Sequence, residues 1–331
     1  MNDTNQMLQL MDRPAFYAED DRITAVNDAA RGLSLSEDTP VTKLLATGLD
    51  AYSEFTGGCL TVELSLAGGH RTASVTALDR GHLFTLEPEG TADDLRMLAL
   101  AAHSLREPLS DVMALVDVLP ADTENLPELS RGLHRLLRIV GNMTPPPPFR
   151  PEMAELNALL REVWDQTQPA CDARGIRFTF TPSPAPIFSA ADPALLTRAI
   201  HNLLSNAMKF SAGGEFRLEL LRSGSSYRIR LWDTGASLPP DPFTRYLREP
   251  GLEDPRSGLG MGLHLVRTAA IAHGGSVLMT AAPGGGVLTE LRLPIRQDMP
   301  LRSNRLRLSY TGERNALLVE LSDVLPPEFY K

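Results

Sequence analysis

The spacing of hydrophobic positions changes twice along the chain. Leu60, Val62, Leu64 and Leu66 alternate with Thr61, Glu63 and Ser65, the period of a half-buried strand. Gly68-Gly69 predicts a hairpin turn into a strand over 72–78, and Gly81 leads to another over 82–86. Upstream, Phe16-Tyr17 and Ile23-Thr24-Ala25-Val26 flank the acidic turn Glu19-Asp20-Asp21, with helical pieces expected near 27–33 and 41–45. From Thr91 the period lengthens. Leu98, Ala102, Leu105, Leu109, Val112, Val116 and Leu119 step alternately by four and three, a heptad seam on one helix. After a breaking loop from Pro120 to Pro127, a second seam runs through Leu129, Leu133, Leu136, Val140 and Met143. Two such helices cannot bury both faces alone, which predicts pairing with a second copy into a four-helix bundle.

Pro145 to Pro148 form a stiff linker. Residues 151–173 then read as a helix, with strands over 176–180, 216–221 and 227–232. Asp192 caps a predicted helix reaching about Phe210, with Pro193 at its first position. A helix over 261–272 and a hairpin closing over Gly284-Gly285-Gly286 complete an α/β sandwich.

Composition narrows the function. With 331 residues and 43% hydrophobic content the chain builds real cores, which excludes a wholly disordered protein. A net charge of −9 argues against direct nucleic-acid binding. Two cysteines, Cys59 and Cys171, form no metal or disulfide pattern and fit a reducing compartment. No apolar run is long enough to span a bilayer, and residues 1–10 lack the basic start of a signal peptide. The expectation is a cytoplasmic protein without a membrane span.

Four segments carry candidate chemistry: residues 201–211 (HNLLSNAMKFS), Asp233-Thr234-Gly235, Ser257-Gly258-Leu259-Gly260-Met261-Gly262-Leu263, and His273-Gly274-Gly275. Asn202, Asn206 and Lys209 lie three or four apart and so share a helix face. The Asn206 carboxamide oxygen could hold Mg²⁺, a hard ion that otherwise keeps water and phosphate ligands. Asp233, just past a strand, offers an acceptor for an exocyclic amine. The backbone at Gly258, Gly260 and Gly262 can approach phosphates, and the following helix N-terminus adds positive partial charge. Lysine is scarce here, at positions 43, 209 and 331 only, which singles out Lys209.

Over residues 150–296 the chain resembles the Bergerat-type ATPase domain of sensor histidine kinases. Residues 202–211 look like its N box, 233–235 its G1 box and 258–263 its G2 box. The resemblance implies Mg-ATP as ligand, with Asn206 on the metal, Asn202 and Lys209 near phosphates, and Asp233 with Gly235 on adenine. No GxxxxGK occurs, so a P-loop is rejected. Ser237 stands where the family has a second G1 glycine. The aromatic segment before the lid is reduced to Phe243, Tyr246 and Leu247.

His103 sits one residue past the seam position Ala102, at the rim of its helix. His103-Ser104-Leu105-Arg106-Glu107-Pro108-Leu109 resembles the histidine kinase H box, which implies that His103 is the phosphoacceptor. The acid that the family places directly after its histidine is Ser104 here, a poor base at neutral pH. Glu107, four residues from His103, either supplies the missing carboxylate or merely pairs with Arg106 or water.

The strand–helix–three-strand order of residues 15–89, with Asn27 after a strand, resembles a PAS sensor module. No haem or flavin signature accompanies it, and His70 and His82 border turns as expected surface residues. Near the C-terminus, residues 316–321 are expected as a strand, within an extension that docks back onto the ATPase domain.

The expected organisation is multidomain α+β. Residues 1–90 form a PAS-like α/β module, 91–144 a dimerisation and phosphoacceptor hairpin, 145–150 a linker, 151–296 the ATPase domain and 297–331 an extension. The function implied by the resemblance is a sensor histidine kinase. It would be a homodimer that phosphorylates His103 with Mg-ATP and passes the phosphoryl group to a response-regulator receiver domain in trans. The rivals are a nucleotide-binding scaffold that has lost phosphotransfer, and an ATPase-fold kinase acting on Ser or Thr, for which the histidine-bearing hairpin has no use.

Overall fold

The computed structural model describes residues 3–87, 91–144, 148–210, 214–235, 238, 242, 261–297 and 315–330. The N-terminal module starts with α1 (Asp3–Gln9), β1 (Ala15–Glu19), β2 (Arg22–Val26), α2 (Asp28–Arg31) and α3 (Leu49–Ser53). β3 (Cys59–Leu66), β4 (Gly69–Leu78) and β5 (Gly81–Leu86) complete an antiparallel sheet of order β2-β1-β5-β4-β3. Asn27 ties its start together. The side-chain oxygen accepts from the N–H groups of Ala15 and Ala30, and the amide donates to the Arg13 carbonyl. Phe16 stacks on Phe84 in the core. His82, expected at the surface, instead packs its ring against Tyr52 and Phe55, and burial lowers its pKa.

α4 (Thr91–Asp117) and α5 (Leu126–Met143) form the helical hairpin. Each seam divides by heptad position. Ala102, Leu109 and Val116 of α4 meet Leu133, Leu137 and Val140 of α5. The alternate residues Leu105, Val112, Leu119, Leu129 and Leu136 remain exposed.

The third unit comprises β6 (Glu152–Glu155), α6 (Leu156–Asp172), β7 (Ile176–Thr181), β8 (Phe188–Ala191), α7 (Pro193–Phe210), β9 (Gly214–Ser223), β10 (Ser226–Asp233), α8 (Met261–Ala272), β11 (Ser276–Ala281) and β12 (Val287–Pro294). β7 runs parallel to β9, while β9, β10, β12 and β11 are antiparallel neighbours. The inward residues of α6, α7 and α8 share one core with this sheet. A single helix over 151–173 is corrected. Residues 152–155 pair with β8, and the Glu155 carboxylate then accepts from the N–H groups of Asn157 and Ala158 to start α6.

A second correction concerns the C-terminal segment. Residues 316–320 are a helix, α9 (Ala316–Glu320), followed by a 3-10 turn (Pro327–Tyr330). Asn315 caps α9 by accepting from the Leu317 N–H. Leu317 and Leu321, four apart, enter the core of the third unit, while Val319 enters the hairpin core. Burial on two sides suits a helix better than an alternating strand.

The N-terminal sheet and the third unit's sheet are continuous. β3 pairs antiparallel with β11 through Val277–Thr61, Leu278–Leu60 and Met279–Cys59, giving ten strands. Gly58 permits the approach: it has φ of +86°, and a Cβ there would lie 2.2 Å from the Met279 carbonyl oxygen. Glu54 adds ion pairs to Arg228 and Arg292, and Glu87 pairs with Arg267 of α8.

No helix among the described residues is long and apolar enough to cross a membrane.

Candidate functional site

α7 positions most of the candidate residues. Asp192 caps it, its Oδ1 accepting from the Leu195 N–H at 3.0 Å. Leu196, Ala199, Ile200, Leu203, Leu204, Ala207 and Met208 bury the apolar face in the core of the third unit. That leaves Arg198, Asn202, Asn206 and Lys209 in a row on the other side, spaced four, four and three apart.

Asn202 is fully buried. Its amide donates to the Arg198 carbonyl at 3.0 Å and to Glu320 Oε2 at 2.9 Å, and its oxygen faces Arg138 Nη2 at 3.4 Å. Gly262, in the first turn of α8, comes close to the same face. A Cβ on Gly262 would sit 2.9 Å from Asn202 Oδ1 and 3.8 Å from Asn206 Nδ2. The half-buried amide of Asn206 makes no hydrogen bond among the described residues, so its oxygen can take a cation. Thus the structure brings Asn202, Asn206 and Gly262 together. Gly258 and Gly260, with Ser237 and residues 243–247, lie outside the described residues.

Lys209 Nζ pairs with Asp323 Oδ2 at 2.6 Å. Burial lowers the lysine pKa, with the positive charge of Arg138 adding to the effect and Asp323 opposing it. For Asp323, burial would raise the pKa, but Arg138 and Lys209 outweigh it and hold the carboxyl below its ordinary value.

Asp233 and Gly235 stand together at the end of β10. Asp233 Oδ1 accepts from the Gly235 N–H at 2.8 Å. Burial pushes the Asp233 carboxyl above the ordinary range, against hydrogen bonds from the Gly235 and Val287 N–H groups. Gly286, with φ of +88°, lies so close that a Cβ would be 1.9 Å from the Asp233 carbonyl oxygen. The aspartate therefore ends β10 in a fixed, half-buried position.

His273 has a structural place. Its Nδ1 donates to the Ala269 carbonyl, and its Nε2 accepts from the Asp192 N–H at 2.9 Å, linking the end of α8 to the cap of α7. His103 and Glu107 lie on the exposed face of α4. The Ser104 hydroxyl donates back to the Leu100 carbonyl at 3.1 Å, so it is engaged within its own helix. Among the described residues α5 reaches α7 through Arg138 and through Asn142, whose Oδ1 accepts from Arg198 Nη2 at 2.9 Å.

Sequence reasoning missed Arg138, Arg198, Glu320 and Asp323, which surround Asn202 and Lys209. The available signal was two acids three apart inside the apolar run of residues 317–325. No group of three or more His, Cys, Asp or Glu side chains suited to a metal occurs among the described residues.

Residues 191–297 match the family model described as histidine kinase-, DNA gyrase B-, and HSP90-like ATPase. The chain is 27% identical over 221 residues to histidine protein kinase DivJ of Caulobacter vibrioides, covering 60% of this chain and 37% of that protein. It is 28% identical over 224 residues to adaptive-response sensory kinase SasA of Parasynechococcus marenigrum, covering 61% and 57%. Sensor histidine kinase RppB of Synechocystis sp. is 27% identical, with 60% and 48% covered. The chain thus spans between about a third and three fifths of the length of these relatives. Full-length ShkA in complex with AMPPNP shares the fold, with a TM-score of 0.50 at 22% identity over 62% of this chain and 47% of that one.

Proposed function

Because this chain is related to sensor histidine kinases and carries their ATPase domain at residues 191–297, we propose that it is an ATP-dependent protein histidine kinase. The observation that carries the reading is the meeting of Asn202, Asn206 and Gly262 where α7 passes the first turn of α8. The residues present suit a metal-bound triphosphate. A Cβ at Gly262 would crowd Asn202 Oδ1, the Asn206 amide is free to accept a cation, and the cations along α7 already hold carboxylates. Asn206 would hold Mg²⁺, which when bound neutralises phosphate charge. Lys209 and Asn202 would bind phosphate oxygens, Gly258, Gly260 and Gly262 would allow close backbone approach, and Asp233 with Gly235 would hold adenine.

In the reaction, an imidazole nitrogen of His103 forms a bond to the γ-phosphorus. The bond from that phosphorus to the bridging oxygen breaks, and ADP leaves with the electron pair. Glu107, one turn from His103, would take the imidazole proton. The phosphoryl group then passes to an aspartate of a response-regulator receiver domain. The open row Leu105, Val112, Leu119, Leu129 and Leu136 supports a homodimer closed as a four-helix bundle. The strand order β2-β1-β5-β4-β3 supports a PAS-type sensor role for the N-terminal module, and a cytoplasmic site of action fits this reading.

Incubation with radiolabelled Mg-ATP tests the proposal. Acid-labile, alkali-stable label that is absent from His103→Ala is the expected result. No label despite nucleotide binding by a dimer would point instead to a scaffold that regulates a partner by conformation.

A further inference from the structure

Two carboxylates from the C-terminal segment fill the cationic pocket on the polar side of α7. Glu320, with no solvent exposure, accepts from Arg198 Nε at 3.0 Å and Asn202 Nδ2 at 2.9 Å, and lies 3.4 Å from Arg138 Nε. Asp323 pairs with Lys209 Nζ at 2.6 Å, Arg138 Nη1 at 2.5 Å and Arg135 Nε at 2.9 Å. Of the charges named, four are positive and two negative. Asn202 and Lys209, read above as phosphate ligands, are thus each engaged by a carboxylate of the same chain.

The segment is held by more than charge. Leu317, Leu321, Val324, Leu325 and Tyr330 belong to the core of the ATPase domain, and Val319 to that of the hairpin. Arg174 of the ATPase domain donates to the Val324 carbonyl at 2.6 Å, and Arg131 of α5 donates to the Leu325 carbonyl at 3.3 Å. Tyr330 packs edge-on against His134 of α5. Residues 315–330 therefore strap α5 to α7 and place two anions where the nucleotide's phosphates would need the same donors.

We infer that residues 315–330 are an autoinhibitory strap, whose Glu320 and Asp323 compete with the phosphates of ATP for Asn202, Lys209, Arg138 and Arg198. Carboxylate and phosphate oxygens are acceptors of the same kind, and buried guanidinium and ammonium groups bind either. Arg138, Arg198 and Lys209 are buried, while Arg135 stands at the open edge, and three clustered buried cations are costly to leave without anions, so the pocket stays filled by one occupant or the other. Nucleotide entry would displace the two carboxylates and loosen the tie between α5 and α7. The inference rests on the reading of Asn202 and Lys209 as nucleotide-site residues.

The test uses the full chain. Hydrogen exchange over residues 315–330 is measured with and without saturating Mg-AMPPNP, and the Kd for Mg-ATP is compared between the wild type and the double variant Glu320→Gln, Asp323→Asn. The expected results are faster exchange of the segment with nucleotide and at least tenfold tighter binding by the variant. Unchanged exchange in a wild type that demonstrably binds nucleotide would overturn the strap and leave the site reading intact. Absence of nucleotide binding by both proteins would overturn the site reading, and the strap with it. Should the variant fail to fold, the wild-type exchange result decides.

Discussion

Lys209 Nζ stands 2.6 Å from Asp323 Oδ2, and both side chains are largely withdrawn from solvent. Asp323 also serves Arg138 and Arg135, so the pair is one edge of a network spanning the hairpin and the ATPase domain. Removing the carboxylate strands buried cations. Asp323→Ala is expected to lower the unfolding free energy by about 2 kcal/mol, less than a fully buried pair loses because Asp323 retains some exposure. Lys209→Met is expected to cost about half as much, since the two arginines still satisfy Asp323. Urea unfolding checks both, and an Asp323→Ala midpoint equal to wild type would show that the network adds nothing.

Gly262→Ala separates the site from the fold. Alanine is favoured over glycine within a helix by about 1 kcal/mol, so helix propensity alone predicts no loss of stability. The new Cβ would meet Asn202 Oδ1 at 2.9 Å, and Asn202 is pinned by Glu320 and the Arg198 carbonyl. The gain in helix propensity and the crowding of Asn202 oppose each other, so the variant should melt near the wild-type temperature but, with Asn202 displaced, bind Mg-nucleotide about tenfold more weakly. Equal affinity would remove Gly262 from the site.

Docking of the N-terminal module depends on Gly58. A side chain there would strike the Met279 carbonyl at 2.2 Å in a left-handed backbone conformation. In Gly58→Val, the amides over residues 277–279 should exchange faster while those of β10 and β12 keep their protection. Unaltered exchange over 277–279 would mean that the ion pairs of Glu54 and Glu87 suffice without the strand pairing.

Acid should destabilise the protein through its buried histidines. Among the described residues neither ring nitrogen of His201 has a hydrogen-bond partner, and burial lowers its pKa to about 4 despite attraction to Glu320. His273 is lowered in the same direction, by burial first. Since the folded pKa lies below the unfolded value, the unfolded chain takes the proton first. Stability is therefore full above about pH 6.5 and declines as the pH falls toward 4, by about 3 kcal/mol for His201 alone. His201→Leu should flatten that acid limb, as read by denaturant unfolding at pH 7, 6, 5 and 4. A slope identical to wild type would assign the acid sensitivity elsewhere.

What is readable in the sequence is mostly local. α7 is announced by Asp192, Pro193 and a sustained helical period, so the shared face of Asn202, Asn206 and Lys209 follows from residue spacing alone. β6 and β8 escape because four-residue strands, paired across more than thirty residues, carry no period of their own. Leu317, Leu318 and Val319 have the composition of a strand, but the Asn315 cap and burial on two sides make them helical. The contacts of Arg138 and Arg198 with Glu320 join residues more than a hundred positions apart, and only tertiary packing reveals them. The joining of β3 to β11 is likewise an edge-to-edge meeting that neither strand signals alone.

The central claim is that the face carrying Asn202, Asn206 and Lys209 is a Mg-nucleotide site. Calorimetric titration of the full chain with AMPPNP, with and without Mg²⁺, beside Asn206→Ala tests it most directly. Saturable, Mg²⁺-dependent binding that is lost in Asn206→Ala is the expected result. Binding by Asn206→Ala with the same affinity and the same Mg²⁺ dependence as wild type would contradict it.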